Sequence, residues 1–126
     1  MITTSARTIT ATDIVNFACL LSREFNEVHT NWEYCKSTPF GKPIAHGAHV
    51  FANMGGLQHA AGINDDTLLA LLGIDKWRML APVKHGDTLQ MEISVIEKNK
   101  TSKPDRGVVR VQRKFVKHDG TGIHAE

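Results

Sequence analysis

Near the start of the chain, in TATDIVNFACLLSREF, the apolar residues Ile14, Phe17, Ala18 and Leu21 fall at i, i+3, i+4 and i+7. That spacing gathers them on one helical face and predicts a helix over residues 12–23. Thr10 or Thr12 can cap it, and Asp13 in the first turn suits the positive end of the helix dipole. A second stripe, Val50, Met54, Leu57 and Ala61, predicts a helix from about Ala48 to Ala61 with Gly55-Gly56 inside it. Two interior glycines weaken a solvated helix and suit one that another backbone or a ligand approaches closely. The run EFNEVHTNWEYCKSTPFGKPIAHG between the two stripes carries two prolines, two glycines and several turn formers, and reads mostly as irregular chain.

After a link near Gly62 to Asp66 the period changes to two. In DTLQMEISVIEK, Leu89, Met91, Ile93 and Val95 alternate with Gln90, Glu92 and Ser94, predicting a half-buried antiparallel strand over 87–98. GVVRVQRKFVK repeats the alternation, with Val109, Val111 and Phe115 on one face and Arg110, Gln112 and Lys114 on the other. Gly73 to Leu80 reads as a third strand, and His118-Asp119-Gly120 as a turn into a short last strand. Helices come first and strands cluster later, an α+β order. With 126 residues, the chain is read as one domain, 1–126.

Lys+Arg at 15 against Asp+Glu at 13 gives a formal charge of +2, unlike a chain whose main task is neutralising phosphates. The charge is uneven: between Lys98 and Lys117, eight basic residues, Lys98, Lys100, Lys103, Arg106, Arg110, Arg113, Lys114 and Lys117, face the single acid Asp105. Such a face can steer an anionic partner, or can simply guard a strand edge against aggregation. Aromatic interleaving is too sparse for nucleic acid. Cys19 and Cys35 form no CxxC pair and suit free thiols in a reducing compartment. The start MITTSARTIT has no basic region followed by an apolar core, and no stretch approaches the roughly 18 apolar residues of a membrane span. The expectation is a cytoplasmic protein that neither crosses a membrane nor binds nucleic acid.

Candidate chemistry converges between the two helices. Glu24, Asn26 and His29 lie just past the first helix, and His46 and Gly47 just before the second. A carboxylate and an imidazole on one loop can share a water, the imidazole taking its proton while the carboxylate orients it. The backbone N–H of Gly47 at a helix N-terminus can meet a developing oxyanion with no side chain in the way. The plainer reading is that Glu24 and His29 are loop residues satisfied by backbone partners. His46, His49 and His59 raise a metal, but HExxH and a cysteine pair are both absent, so no metal is expected. Trp32 and Trp77 read as core or tunnel wall.

These residues carry a resemblance. Phe17-Ala18, Leu21-Ser22, Asn26, His29 and Ile44-Ala45-His46-Gly47 resemble the FAxLSGDxNPxHxD and IAHG motifs of the MaoC-like, (R)-specific enoyl-thioester hydratases. Pro82, Val83, Gly86, Asp87, Thr88 and Leu89 resemble that family's PVxxGDTL. The resemblance implies a hot-dog fold, a central helix wrapped by an antiparallel sheet, assembled as a homodimer with an acyl tunnel at the interface. It implies hydration of trans-2-enoyl thioesters, or dehydration of 3-hydroxyacyl thioesters, on coenzyme A or an acyl-carrier protein, with no metal or redox cofactor. Carried over, His29 is the acid/base, Glu24 the water-orienting carboxylate and Gly47 the oxyanion donor. Asn26 and His46, which shape the loop, and Val50, Phe51 and Met54, which line the acyl site, are then the substrate-binding residues. The chain departs from the motif at Arg23-Glu24 for Gly-Asp, Glu27 for Pro and Asn31 for the final acid, so its carboxylate sits one methylene further out. A hot-dog thioesterase, an enzyme adding another nucleophile to the enoyl thioester, and a non-catalytic acyl-thioester-binding subunit remain alternatives.

Overall fold

A computed structural model describes residues 1–125. Helix α1, Ala11–Asn16, opens on a reciprocal cap: Asp13 N donates to Thr10 Oγ1 at 3.1 Å, and Thr10 N donates to Asp13 Oδ2 at 2.9 Å. Two orphan first-turn donors are thereby satisfied. The helix then widens into π-helical turns over Phe17–Ser22, where Ser22 Oγ donates to Phe17 O five residues back. Widening takes in an extra residue per turn and rotates the apolar stripe. Ile14 and Ala18 are therefore buried and Phe17 half-buried, as the periodicity predicts, while Leu21 turns out to solvent beside Leu20. The segment ends at Arg23, whose φ of +54° is left-handed.

The following stretch is more regular than its composition suggests. Asn26 and Asn31 cap two short helices, α2 (Glu27–Thr30) and α3 (Trp32–Lys36), each asparagine side chain accepting a backbone N–H, from Val28 at 3.3 Å and Tyr34 at 3.0 Å. Asparagine, a poor helix interior residue, is a good cap because its side chain competes for backbone groups. The central helix α4 spans Gly47–Ala60.

Strands β1 (Ile2–Thr3) and β2 (Arg7–Thr8) both pair antiparallel with β3 (Thr88–Lys100). On its other edge β3 pairs with β4 (Gly107–Lys117), and β4 with β5 (Gly122–Ala125), giving the order β1-β3-β4-β5. The register sets Ile2 opposite Ile93, Met91 opposite Phe115 and Phe115 opposite Ile123, stacking apolar residues on one face. Against that face α4 lays Val50, Met54 and Leu57, and Ile9, Ile14 and Val83 close the rim. Full burial of a side chain of this kind is worth about 1.5–3 kcal/mol. Beyond a register shift between Val95 and Glu97 the hairpin leaves this core, and Val95, Ile96 and Val109 face outward.

One sequence expectation is corrected. No strand forms over Gly73–Leu80 among the described residues; the only isolated pairing nearby is the bridge Ile44–Lys84. The alternation itself is real, with Trp77 and Met79 half-buried on the core and Arg78 and Leu80 outward. An extended chain alternates its side chains without a ladder, and this one is held by side chains, Asp75 to Arg110 at 3.0 Å and Trp77 edge-on to Phe51. Gly55 and Gly56 are exposed on α4, and no other part of the described chain approaches them: a Cβ at either would meet nothing within 4 Å, while Gly56 stands on the wall of a cavity. Both cysteines are free thiols, Cys19 exposed and Cys35 buried. No helix among the described residues is long and apolar enough to cross a membrane.

Candidate active site

Three backbone hydrogen bonds stitch the site together. His29 N donates to Asn26 O at 2.9 Å, Ile44 N to Val28 O at 3.0 Å, and Ala45 N to Val83 O at 2.7 Å. The loop before α4 is thus pinned between α2 and the segment leading into β3. It brings the Ile44 carbonyl to 2.7 Å from His29 Nδ1. A carbonyl only accepts, so His29 carries its proton on Nδ1 when neutral, and the Nε2 lone pair is left available. His29 Nε2 lies 3.4 Å from Glu24 Oε1, the His29 side chain nearly buried and the Glu24 side chain 55% exposed. The plainer reading is therefore half right: His29 does have a backbone partner, on the nitrogen that does not face Glu24.

His46 backs this pair. Its ring stacks on that of His29, centroids 3.7 Å apart with the planes 22° from parallel, and its Nε2 donates to the Glu24 carbonyl at 3.0 Å. One imidazole thus fixes both the backbone of the acid and the face of the base. Phe17 continues the stack, 5.0 Å from His46 and 5.0 Å from His49. Gly47 is the first residue of α4, where N–H groups lack intrahelical partners, and the N-cap His46 supplies no side-chain acceptor for them.

The structure brings Glu24, His29, His46 and Gly47 into one place and keeps Asn26 beside them as the cap of α2. Val50 and Met54 are fully buried in the core instead, and Phe51 is half-buried against Trp77 with the Arg113 guanidinium 5.2 Å over its ring. Trp32 is exposed, meeting His85 edge-on, and Trp77 packs on the core. Of the basic block, Arg106 pairs with Asp105, Arg110 with Asp75 and Glu97, and Lys117 with Asp87.

A cavity of about 330 Å³ opens on the other side of Phe17, between the widened turn and α4. Its polar wall is a network that spacing alone does not reveal, in which Arg7 donates to Asn53 Oδ1 at 2.9 Å and to Asp13 Oδ1 at 2.8 Å, with Asn53 donating to His49 O. Arg7 and Asn53 are 46 positions apart, so only the folded chain joins them.

Glu24, His29 and His46 each offer a ligand atom within 4.8 Å of the others. An imidazole binds a metal in its own plane at about 2.0–2.1 Å. Two nearly parallel rings 3.7 Å apart cannot both point a lone pair at one ion. The stacked arrangement suits proton chemistry better than coordination.

The chain matches the family model of the MaoC-like domain over residues 1–116. It is 36% identical over 103 residues to the protein MaoC of Klebsiella aerogenes, a match covering 82% of this chain but only 29% of that longer protein. Among solved structures, one described as a monoamine oxidase regulatory protein from Archaeoglobus fulgidus superposes with a TM-score of 0.88 at 33% identity, over 98% of this chain and 82% of that one. The unliganded R-hydratase PhaJ1 of Pseudomonas aeruginosa superposes with a TM-score of 0.67 at 28% identity, over 96% and 72%. The antiparallel sheet laid against α4 is the hot-dog fold, and the chain belongs to the MaoC-like domain family.

Proposed function

We propose that this protein adds water to trans-2-enoyl thioesters, or runs the reverse dehydration of 3-hydroxyacyl thioesters, as a homodimer acting on coenzyme A or carrier-protein substrates. The observation that carries this reading is the convergence of His29 Nε2 and Glu24 Oε1 at 3.4 Å, beside the N-terminus of α4 that begins at Gly47. A neutral imidazole with Nδ1–H held by a carbonyl is a base at Nε2 and becomes an acid once protonated. In hydration, the water oxygen bonds to C3 while its proton passes to His29 Nε2. The C2=C3 pair shifts to C2 and the thioester carbonyl, and the charge on that oxygen faces the Gly47 N–H. The imidazolium then returns a proton to C2, leaving a 3-hydroxyacyl thioester. Glu24 orients the water and stabilises the imidazolium between the two transfers.

The extra methylene of Glu24 does not carry its carboxylate away from His29, and its exposed side chain leaves room for water. The similarity to an R-hydratase supports the same chemistry. The test incubates the protein with crotonyl-CoA and a longer enoyl-CoA, following loss of the conjugated double bond and release of free thiol in parallel. Bond loss without thiol, reduced about a hundredfold or more in His29→Ala and Glu24→Gln, is expected. Thiol release would replace the reading by a thioesterase, and silence in both channels by a non-catalytic subunit.

A further inference from the structure

Arg113, on β4, is a half-buried guanidinium. Among the described residues its partners are neutral: Gln58 Oε1 at 3.4 Å and the Phe51 ring, 5.2 Å below the guanidinium carbon. The other arginines drawn into contacts are matched by acids, Arg7 by Asp13, Arg106 by Asp105, and Arg110 by Asp75 and Glu97. Arg113 is buried enough that desolvation pushes its pKa below the ordinary arginine value, yet among the described residues no carboxylate pairs with it. Burying a cation without a counter-ion is unfavourable, and the deficit is made good by any anion that reaches it.

Its position says which anion. Gly47, Phe51 and Gln58 stand at i, i+4 and i+11 of α4, so they share one face of the helix. Phe51 is about 6 Å and Gln58 about 16 Å along the axis from Gly47. A negative charge held by Arg113 therefore lies several bond lengths down the helix from the Gly47 N–H, on the same side. The planar fork of a guanidinium pairs bidentately with a carboxylate or phosphate.

We infer that Arg113, backed by Gln58 and stacked on Phe51, is an anion-binding residue for the thioester substrate and selects acyl chains that end in a carboxylate. The same chemistry is met by a phosphate of the carrier, and the test separates the two sources. The inference rests on the hydration reading for its substrate but is read by binding, so the two fail separately.

The unreactive thioesters suberyl-CoA and octanoyl-CoA, equal in chain length and differing in the terminal carboxylate, are titrated calorimetrically into the wild-type protein, Arg113→Gln and Arg113→Lys. Wild-type protein should bind suberyl-CoA about tenfold or more tightly than octanoyl-CoA, with the preference lost in Arg113→Gln and partly kept in Arg113→Lys. Equal weakening of both ligands in Arg113→Gln, abolished when the 3′-dephospho thioesters are used, would assign Arg113 to the carrier phosphate and overturn the acyl-chain selection. Unchanged binding of both thioesters in a folded Arg113→Gln protein would remove Arg113 from ligand recognition altogether. Turnover of oct-2-enedioyl-CoA against oct-2-enoyl-CoA should follow the same ratio in kcat/KM; a protein that binds with this preference but turns over neither would sink the hydration reading and leave the binding residue standing.

Discussion

Gly47 separates stability from chemistry more cleanly than its neighbours do. A Cβ there would meet nothing within 4 Å, so Gly47→Ala should keep its unfolding free energy to within about 0.5 kcal/mol. A methyl group beside the thioester oxygen displaces it on the scale of 1 Å, and turnover should fall about a hundredfold. A thermal melt and a hydration assay on the same preparation check both halves; equal activity would take the oxyanion away from this N–H. His49 offers a pH test. Burial pushes its imidazole below the ordinary histidine value, Asp13 pulls the other way, and the neighbouring His46 and the Arg7 guanidinium add to the effect of burial. The folded state then binds fewer protons than the unfolded chain between the lowered pKa and the ordinary value, so stability is full above the ordinary value and drains as pH falls below it. His49→Phe keeps a ring against Phe17 and removes that titration. Its stability relative to wild type should improve on going from about pH 8 to about pH 5, measured by urea unfolding; a constant difference would mean His49 does not titrate differently on folding.

Helix α1 shows what a pattern can and cannot announce. Ile14, Phe17 and Ala18 follow the helical period, but Leu21 faces solvent because the backbone widens after Asn16. Residue spacing encodes a face only for a known pitch. The strands were more legible: 87–98 was expected where β3 runs Thr88–Lys100, and GVVRVQRKFVK is β4 itself. Two-residue β1 and β2 have no period to read, and Gly73–Leu80 alternates without pairing. In the site, motif residues placed Glu24, His29 and Gly47 together, whereas the stack of His46 on His29 and the setting of Arg113 depend on distances set by tertiary folding. The end of the widened segment carries its own prediction. Arg23 holds φ at +54° where the motif has glycine, a conformation that costs a side-chain-bearing residue roughly 1–2 kcal/mol. Arg23→Gly should regain about 1 kcal/mol in denaturant unfolding; a loss instead would show that the arginine side chain contributes more than the strained backbone costs.

The folded chain exposes 8096 Å², whereas a compact monomer of 13.9 kDa exposes about 6,700 Å². The excess is apolar in part: Leu68, Leu69, Leu71 and Leu72 lie open before β3, and Val95, Ile96 and Val109 on the outer hairpin. Exposed apolar surface of this extent commonly marks a protein–protein interface. A homodimer is expected in sedimentation equilibrium, and Ile96→Glu with Leu69→Glu should shift it to monomer; a wild-type monomer at micromolar concentration would rule the dimer out.

Strand β3 lies between the short strands β1 and β2 on one edge and β4 on the other. Met91 N donates to Thr4 Oγ1 87 positions away, Gly86 N donates to Ile9 O at 2.7 Å, and β4 follows on the opposite edge. A ribosome adds about 5–20 residues per second, so α1 and the loop of Glu24 and His29 leave it several seconds before the segment from Val83 into β3 to which this part of the chain is tied. Closing so long a loop is entropically slow. For that interval the nascent segment, with Ile9, Ile14 and Ala18 not yet covered, is a client for whatever binds emerging apolar chain, and synonymous codons that slow translation before residue 88 should lower the yield of folded protein more than the same codons placed after it.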